Sequence, residues 1–587
     1  MPSSPPEPVG QYESDGRAPG GCKFASQAMR QECVKPGDVL FDFNSPGRGQ
    51  DVDNVDSSAS AKGVEASPLG RKSSSLTAGL HRLNTSADDN VMLSARLRWR
   101  VGSKFNYACQ REHSTTIRQQ NELNAAIHNG SAKDPSLSGA LSGRTIAIKD
   151  NIATKDSPTT AASKALTGYT SPFDATVIKL LRQNGASISA KTNLDEFGMG
   201  SHSQHSHAGP VLSQHSRSGV PLSPGGSSGG SAVAVATGQC WAALGTDTGG
   251  SVRLPAAFMG TVGFKPSYGV VSRWGVIQYA NSMDTVGILA GKVEDARRVF
   301  GCLDVFDGKD PTSLSASVRR HAAQRQPLGR GLRIGVPLEY NIAGLAPAVR
   351  SAYMRTLGLM QDHGHSLHPV SLPTTRQALS AYYVLAPAEA SSNLAKYDGI
   401  RYGYRTQGPD ASPKSGLPLY ARTRGEGFGE EVKRRILLGA YTLSSEAIDN
   451  YFIQAQKVRR LVQRDFDGVF TQLNPLLNSD ITTGSGVREE QGVDVLLTPT
   501  APTLPPTVEE VKRQSSVESY MNDVFTVPAS LAGLPAISVP VKLSGGGDEM
   551  VEERDVQSVG VQLIGQFGDD QLVLHAAALL EHIDREV

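Results

Sequence analysis

The feature that most constrains this chain is a glycine-serine run from Gly225 to Ser251, reading GGSSGGSAVAVATGQCWAALGTDTGGS. Two Gly/Ser clusters close its ends, with Ser227 in the first and Ser251 in the second. Glycine lets backbone approach a ligand and adopt positive φ. Such runs can also turn several backbone N–H groups toward one oxygen, which stabilising an oxyanion in acyl transfer requires. The run therefore points to a serine nucleophile at a glycine-lined turn.

Other readings of the same run fit less well. Gly225-x-Ser227-x-Gly229 has the form of a nucleophile elbow, but no later histidine stands in a recognisable motif to complete that triad. A phosphate-binding loop would need Gly-Lys-Ser/Thr after the glycines, and the run lacks it. His202, His205, His207 and His215 form a histidine-rich stretch before it, without the carboxylate or cysteine that would complete a familiar ligand set. That stretch reads as a solvated loop beside the site. Cys240 reads as a small buried hydrophobe. Asp247 and Arg253, either side of the second cluster, read as an internal pair that shapes the turn.

Bulk properties narrow the class further. The 587 residues carry a formal net charge of +1, so bulk charge indicates no polyanion partner. Five scattered cysteines without a CxxC spacing suggest a reducing compartment with neither a disulfide framework nor a zinc site. No apolar run is long enough to propose a membrane span.

The chain divides into three. Residues 1–91 are rich in Ser, Gly, Pro and Asp and read as a disordered extension that the mature protein need not retain. Residues 92–115 carry Arg96, Arg98, Arg100, Lys104 and Arg111 with no acid before Glu112. This is the composition of a mitochondrial transit segment, with translation starting at Met92, or else of a basic linker. From about 116 to 587 the pattern is globular. A short helix is predicted over 121–127. Apolar strands are predicted at 144–152, 241–247, 333–338, 494–500, 536–541 and 559–565, with another just after residue 185. Helices are predicted over 174–185 (with Asp174 as N-cap), 231–238, 346–362, 428–470 and 569–586, and behind Ser251. Alternating strands and helices imply an α/β unit. Residues 473–491 and 544–555 read as surface insertions.

Three blocks, AIKDN (147–151), PGGSSGGSAVAVA (224–236) and GTDTGGSVRLPAAFMGTVGFKPSYG (245–269), together resemble the amidase signature family, in the right order and over roughly 116–587. The resemblance implies a large mixed central sheet covered by helices on both faces. It implies Ser251 as nucleophile, Ser227 as a proton-relaying serine on a cis peptide and Lys149 as base. The amides of Thr248, Gly249, Gly250 and Ser251 would form the oxyanion hole. Elementary chemistry agrees: a serine needs a base, and lysine serves only when neutral, which burial at the end of the apolar TIAI strand would favour.

The C-terminal half, including 381–403, 425–444, 455–467 and 519–540, resembles the A subunits of tRNA-dependent amidotransferases within that family. The resemblance implies that Arg435 and Asp523, with Tyr382 nearby, hold the α-carboxylate and α-amino group of glutamine. An arginine fork suits a carboxylate. The implied partners are a B subunit, a small third subunit, and Glu-tRNA(Gln) reached through the complex. No cofactor is expected in this chain, with ATP and Mg²⁺ used by the complex. The expected location is the mitochondrial matrix. The alternative is a free-standing amidase of small or fatty amides. The residues leave open whether asparagine also serves as donor.

Overall fold

Apolar strands that alternate with helices bury both of their faces when they share one sheet. The computed structural model describes residues 122–130, 138–323, 330–410, 416, 418–477, 492–543 and 555–586. The expectations for 1–91 and 92–115, and those for 478–491 and 544–554 of the two insertions, fall outside those residues. Along the chain the strands are β1 (Ala126–Asn129), β2 (Thr145–Lys149), β3 (Ser187–Thr192), β4 (Ser216–Arg217), β5 (Val220–Pro221), β6 (Ala242–Asp247), β7 (Val262–Lys265), β8 (Thr285–Ala290), β9 (Arg333–Pro337), β10 (Ser366–Val370), β11 (Val495–Pro499), β12 (Ala536–Lys542) and β13 (Ser558–Gly565). Among the described residues, β4 and β5 form a small hairpin and the other eleven make one mixed sheet. Its order is β1-β3-β2-β6-β8-β7-β12-β13-β11-β9-β10. The trios β3-β2-β6 and β11-β9-β10 are parallel within themselves, and antiparallel pairs join them through the middle.

Side-chain alternation along a strand separates two cores. Ile146, Ile148, Ala242, Leu244, Ile288 and Ala290 face the larger one. Ala147, Ala243 and Leu289 face a second core made largely of small residues, shared with the helix Gly229–Ala236. That helix is close-packed. A Cβ on Gly230 would lie 2.4 Å from the carbonyl oxygens of Ala125 and Asn193. Every residue of β6, β8 and β11 is buried, which is why their sequences run apolar without alternation.

Three local expectations are corrected. The helix expected over 121–127 does not continue past Leu123: Glu122 and Leu123 are helical, but Asn124 takes a φ of 50°. Its side-chain amide donates to the carbonyls of Ala208, Gly209 and Pro210 at 2.9, 3.0 and 3.1 Å. The chain then joins the sheet as β1, so tertiary pairing overrides local propensity. Asp174 does not cap the next helix, Thr176–Gln183, whose N-cap is Ala175. Its carboxylate instead accepts from the Lys155 amide at 2.9 Å and pairs with Arg182 at 3.1 Å. The long helix expected over 428–470 is two helices, Glu430–Thr442 and Phe452–Val469. The intervening Ser444, Ser445, Asp449 and Asn450 are residues that compete for backbone hydrogen bonds.

Candidate active site

Lys149 is the last residue of β2, between β3 and β6, and is fully buried. Its Nζ lies 2.8 Å from Ser227 Oγ, 2.8 Å from Ser228 Oγ, 3.0 Å from Thr246 Oγ1 and 3.3 Å from the Thr246 carbonyl. Burial lowers its pKa from the usual lysine range to about 7, although Asp195, Asp247 and Asp284 pull it back up. A neutral amine has two N–H groups and one lone pair. Ser228 and Thr246 can take both N–H groups, which leaves the lone pair facing Ser227. Asn151 Nδ2 donates to Thr246 Oγ1 at 3.0 Å and fixes that hydroxyl. Sequence reasoning missed Ser228 and Thr246, since a serine in a glycine run and a strand threonine have no signature of their own.

The Gly226–Ser227 peptide is cis. Asp195, just beyond β3, holds the surrounding loop. Its carboxylate accepts from the amides of Ser203 at 2.8 Å and His205 at 3.0 Å. A Cβ on Gly226 would come within 2.4 Å of it, so glycine is needed there. The backbones of the two serine clusters meet where the Ser228 amide donates to the Ser251 carbonyl at 3.1 Å. Ser251 is part-exposed while its flanking residues 242–250 and 252–259 are buried. Its hydroxyl makes no hydrogen bond among the described residues. Lys149 and Ser227 are thus joined by a direct hydrogen bond, and the cluster that carries Ser227 is joined to Ser251 through backbone.

The turn from β6 into the helix Arg253–Met259 has unusual amides. Those of Thr248, Gly249, Gly250 and Ser251 donate to no described residue, whereas the next two, Val252 and Arg253, donate to Asp247 at 3.2 and 3.4 Å. Four consecutive free N–H groups beside an accessible serine hydroxyl can receive an oxyanion. Their carrier is held from three sides. Thr248 Oγ1 donates to Asp284 at 2.7 Å, Thr526 Oγ1 donates to the Gly249 carbonyl at 2.7 Å, and Asp247 pairs with Arg253 at 2.9 Å. The expected role of Asp247 and Arg253 as an internal pair is what the geometry shows. Gly250 has a φ of +150°, and a Cβ there would meet Thr526 Oγ1 at 2.2 Å. Gly250→Ala is therefore expected to displace the turn and lower kcat for acyl transfer by roughly 10²–10³-fold, read as the rate of amide turnover.

The other sequence-predicted residues gather behind this turn. A Cβ on Gly249 would lie 2.6 Å from the Tyr382 ring, and one on Gly250 would lie 3.2 Å from Asp523 Oδ1. Asp523 is buried and accepts from Ser201 Oγ at 2.7 Å and Tyr383 Oη at 3.3 Å. Burial pushes its carboxyl up to about 7. Arg435, on the helix Glu430–Thr442, is also buried. Its Nε donates to Glu431 at 2.8 Å and its Nη1 to Tyr279 Oη at 2.7 Å. Its guanidinium lies 5.5 Å from the ring centroids of Tyr383 and Tyr520. Nη2 has no hydrogen-bond partner among the described residues. The Tyr279, Tyr383 and Tyr520 cage was invisible to sequence reasoning because its members lie far apart along the chain.

The histidine loop needs one correction. His205 and His207 are exposed, but His202 is buried. Its ring bonds Ser223 Oγ at 2.9 Å and Asn522 Nδ2 at 3.2 Å. Burial lowers its pKa to about 4, so it is neutral and ties the approach to Ser227 to the segment carrying Asp523. Cys240 is buried, and burial pushes its thiol up to about 12.

An amine of lowered pKa, relaying hydroxyls and free amides around an accessible serine are the parts of serine-dependent acyl transfer on an α/β sheet. The chain belongs to the amidase family: the family model described as Amidase matches residues 103–574. A relative from Ajellomyces capsulatus, named as the mitochondrial A subunit of glutamyl-tRNA(Gln) amidotransferase, is 59% identical over 466 residues, covering 75% of this chain and 89% of its own. A relative of the same name from Coccidioides posadasii is 57% identical over 455 residues, covering 76% and 89%. Among solved structures, the glutamyl-tRNA(Gln) amidotransferase A subunit of Thermotoga maritima superposes with a TM-score of 0.61 at 34% identity, covering 80% of this chain and 90% of that one.

Proposed function

We propose that this chain is the glutamine-hydrolysing A subunit of a mitochondrial amidotransferase that converts Glu-tRNA(Gln) to Gln-tRNA(Gln). The observation that carries the reading is Lys149 Nζ, of pKa about 7, at 2.8 Å from Ser227 Oγ beside the four free amides. The naming of relatives that are more than half identical supports the substrate, the setting and the compartment.

In this reading Arg435 Nη2 receives the α-carboxylate of glutamine and Asp523 its α-ammonium, with Tyr382 against the glycine turn. The arriving ammonium holds Asp523 ionised, against the burial that favours its protonated form. Ser251 Oγ attacks the side-chain amide carbon, its proton passes to Ser227, and Ser227 gives its own to Lys149. The carbonyl oxygen becomes an oxyanion facing the amides of residues 248–251. The proton returns by the same relay to the leaving nitrogen, and ammonia departs. A glutamyl ester remains on Ser251 until water, activated by the same relay, hydrolyses it. A B subunit, assembled with this chain and a small third subunit, uses ATP and Mg²⁺ to activate the glutamate on tRNA and receives the ammonia.

The test is ammonia release from glutamine by the purified chain, alone and with its copurified partner subunits, alongside amidation of Glu-tRNA(Gln). Weak glutaminase alone, strongly stimulated in the complex and coupled to Gln-tRNA(Gln), is expected. Fast turnover of an unrelated amide that ignores the partners would point to a free-standing amidase instead.

A further inference from the structure

Asp195 and Glu196 are adjacent in sequence but face different parts of the site. Asp195 holds the amides of Ser203 and His205 with its carboxylate, and its own amide donates to the Ser227 carbonyl at 3.3 Å, which clamps the loop that carries Ser227. Glu196 is buried and reaches the other way. Its Oε2 accepts the Gly429 amide at 2.8 Å, and its Oε1 accepts from the Ser163 hydroxyl. A Cβ on Gly429 would stand 2.4 Å from Oε2, so only glycine lets the two approach. Phe197, the next residue, packs edge-on against Phe428 with ring centroids 5.8 Å apart.

Gly429 opens the helix Glu430–Thr442, and no side chain of its own caps it. A helix N-terminus presents unpaired amides and attracts negative charge. Here the amide that opens the helix is taken by a carboxylate from a segment 233 positions away. Arg435 sits six residues into that helix, about 9 Å along its axis. The two ends of glutamine are thus referred to one short segment, the amide end through Asp195 and the Ser227 loop, the carboxylate end through Glu196 and the Arg435 helix. Glu196 takes no part in the bond-making steps above.

The geometry points to Glu196 as a positioning residue for substrate: by fixing the start of the Arg435 helix to the segment that clamps the Ser227 loop, it sets the distance between the carboxylate site and the attacking serine. This rests on the reading of Arg435 as the carboxylate site.

The experiment compares wild type, Glu196→Ala, Glu196→Gln and Arg435→Ala, each as the full-length chain with its copurified partner subunits. Glutamine and 4-aminobutanamide, which keeps the amide and amine but lacks the carboxylate, are the substrates. Glu196→Ala is expected to raise KM for glutamine about tenfold with kcat within about threefold, and to leave kcat/KM for 4-aminobutanamide within about twofold. Glu196→Gln keeps an acceptor for the Gly429 amide, so its KM should rise only about threefold; it also carries the test should the alanine variant not fold. Equal losses on both substrates, or no change on glutamine, would overturn the positioning role. Arg435→Ala separates the two claims. If it costs glutamine much more than the analogue while both Glu196 variants do not, the positioning role alone fails. If it costs both substrates equally, the carboxylate reading and the inference built on it fail together.

Discussion

Replacing Ser251 by alanine is expected to lower kcat for glutamine hydrolysis on the order of 10⁵-fold, leaving glutamine binding nearly intact. Its hydroxyl is the accessible one beside four free amides. Lys149→Met should cost a similar amount, because Ser251 then has nowhere to pass its proton. The double variant should be no worse than either single one, since residues that act as a unit lose function together. Ammonia release under saturating glutamine reads the effect, and isothermal titration with glutamine checks that the site still forms. A Ser251→Ala variant within about tenfold of wild type would remove Ser251 from the chemistry.

Arg253→Leu is expected to destabilise the fold by about 3–5 kcal/mol, the usual loss on breaking one side of a buried ion pair. Arg253 and Asp247 are both fully buried. All five guanidinium donors are used: Nε and Nη2 on Asp247 at 3.0 and 2.9 Å, Nη1 on the Thr526 carbonyl at 2.9 Å and Gln562 Oε1 at 2.7 Å, and Nη2 also on Ser530 Oγ at 2.8 Å. Burial favours the protonated Asp247 carboxyl, and Arg253 outweighs it to hold the group below the usual range. Removing the arginine strands that charge and breaks one of the two ties between the Thr526 segment and the oxyanion turn. The midpoint of urea denaturation measures the loss. Adding Asp247→Asn should recover part of it, because the stranded charge goes too.

The parts of this site that announce themselves in sequence are those whose local context is itself unusual. The doubled Gly/Ser clusters drew attention to Ser227 and Ser251, the resemblance added Lys149 at the end of an apolar strand, and the structure joins Lys149 to Ser227 directly and the two serine clusters by backbone. Arg435 and Asp523 carry no such local mark; only resemblance singled them out, and both prove buried. The groups that aim them were hidden. Ser228 and Thr246 orient the lysine, Thr526 and Asp284 hold the turn, and three tyrosines cage the arginine, all through contacts made by segments distant in sequence. The fold followed the same division. The fully buried strands β6 and β11 were legible from apolar runs, but the equally buried β7 and β8 were not predicted, and β1 was lost because its pairing with β3 outweighs the helical propensity of NELNAAI. The break in 428–470 was missed because helical periodicity on both sides masked the polar stretch between.

The most direct measurement is the pH dependence of kcat for glutamine between about pH 5.5 and 8.5, in wild type and in Lys149→Met. A lysine of pKa about 7 accepts a proton only above that value, and in the complex the bound ammonium keeps Asp523 ionised, so kcat should rise with pH through about 7 and then level. The residual rate of Lys149→Met should lack that limb. A wild-type kcat that is flat or falls as pH rises through 7, or a limb that survives removal of the amine, would contradict a neutral Lys149 as the base.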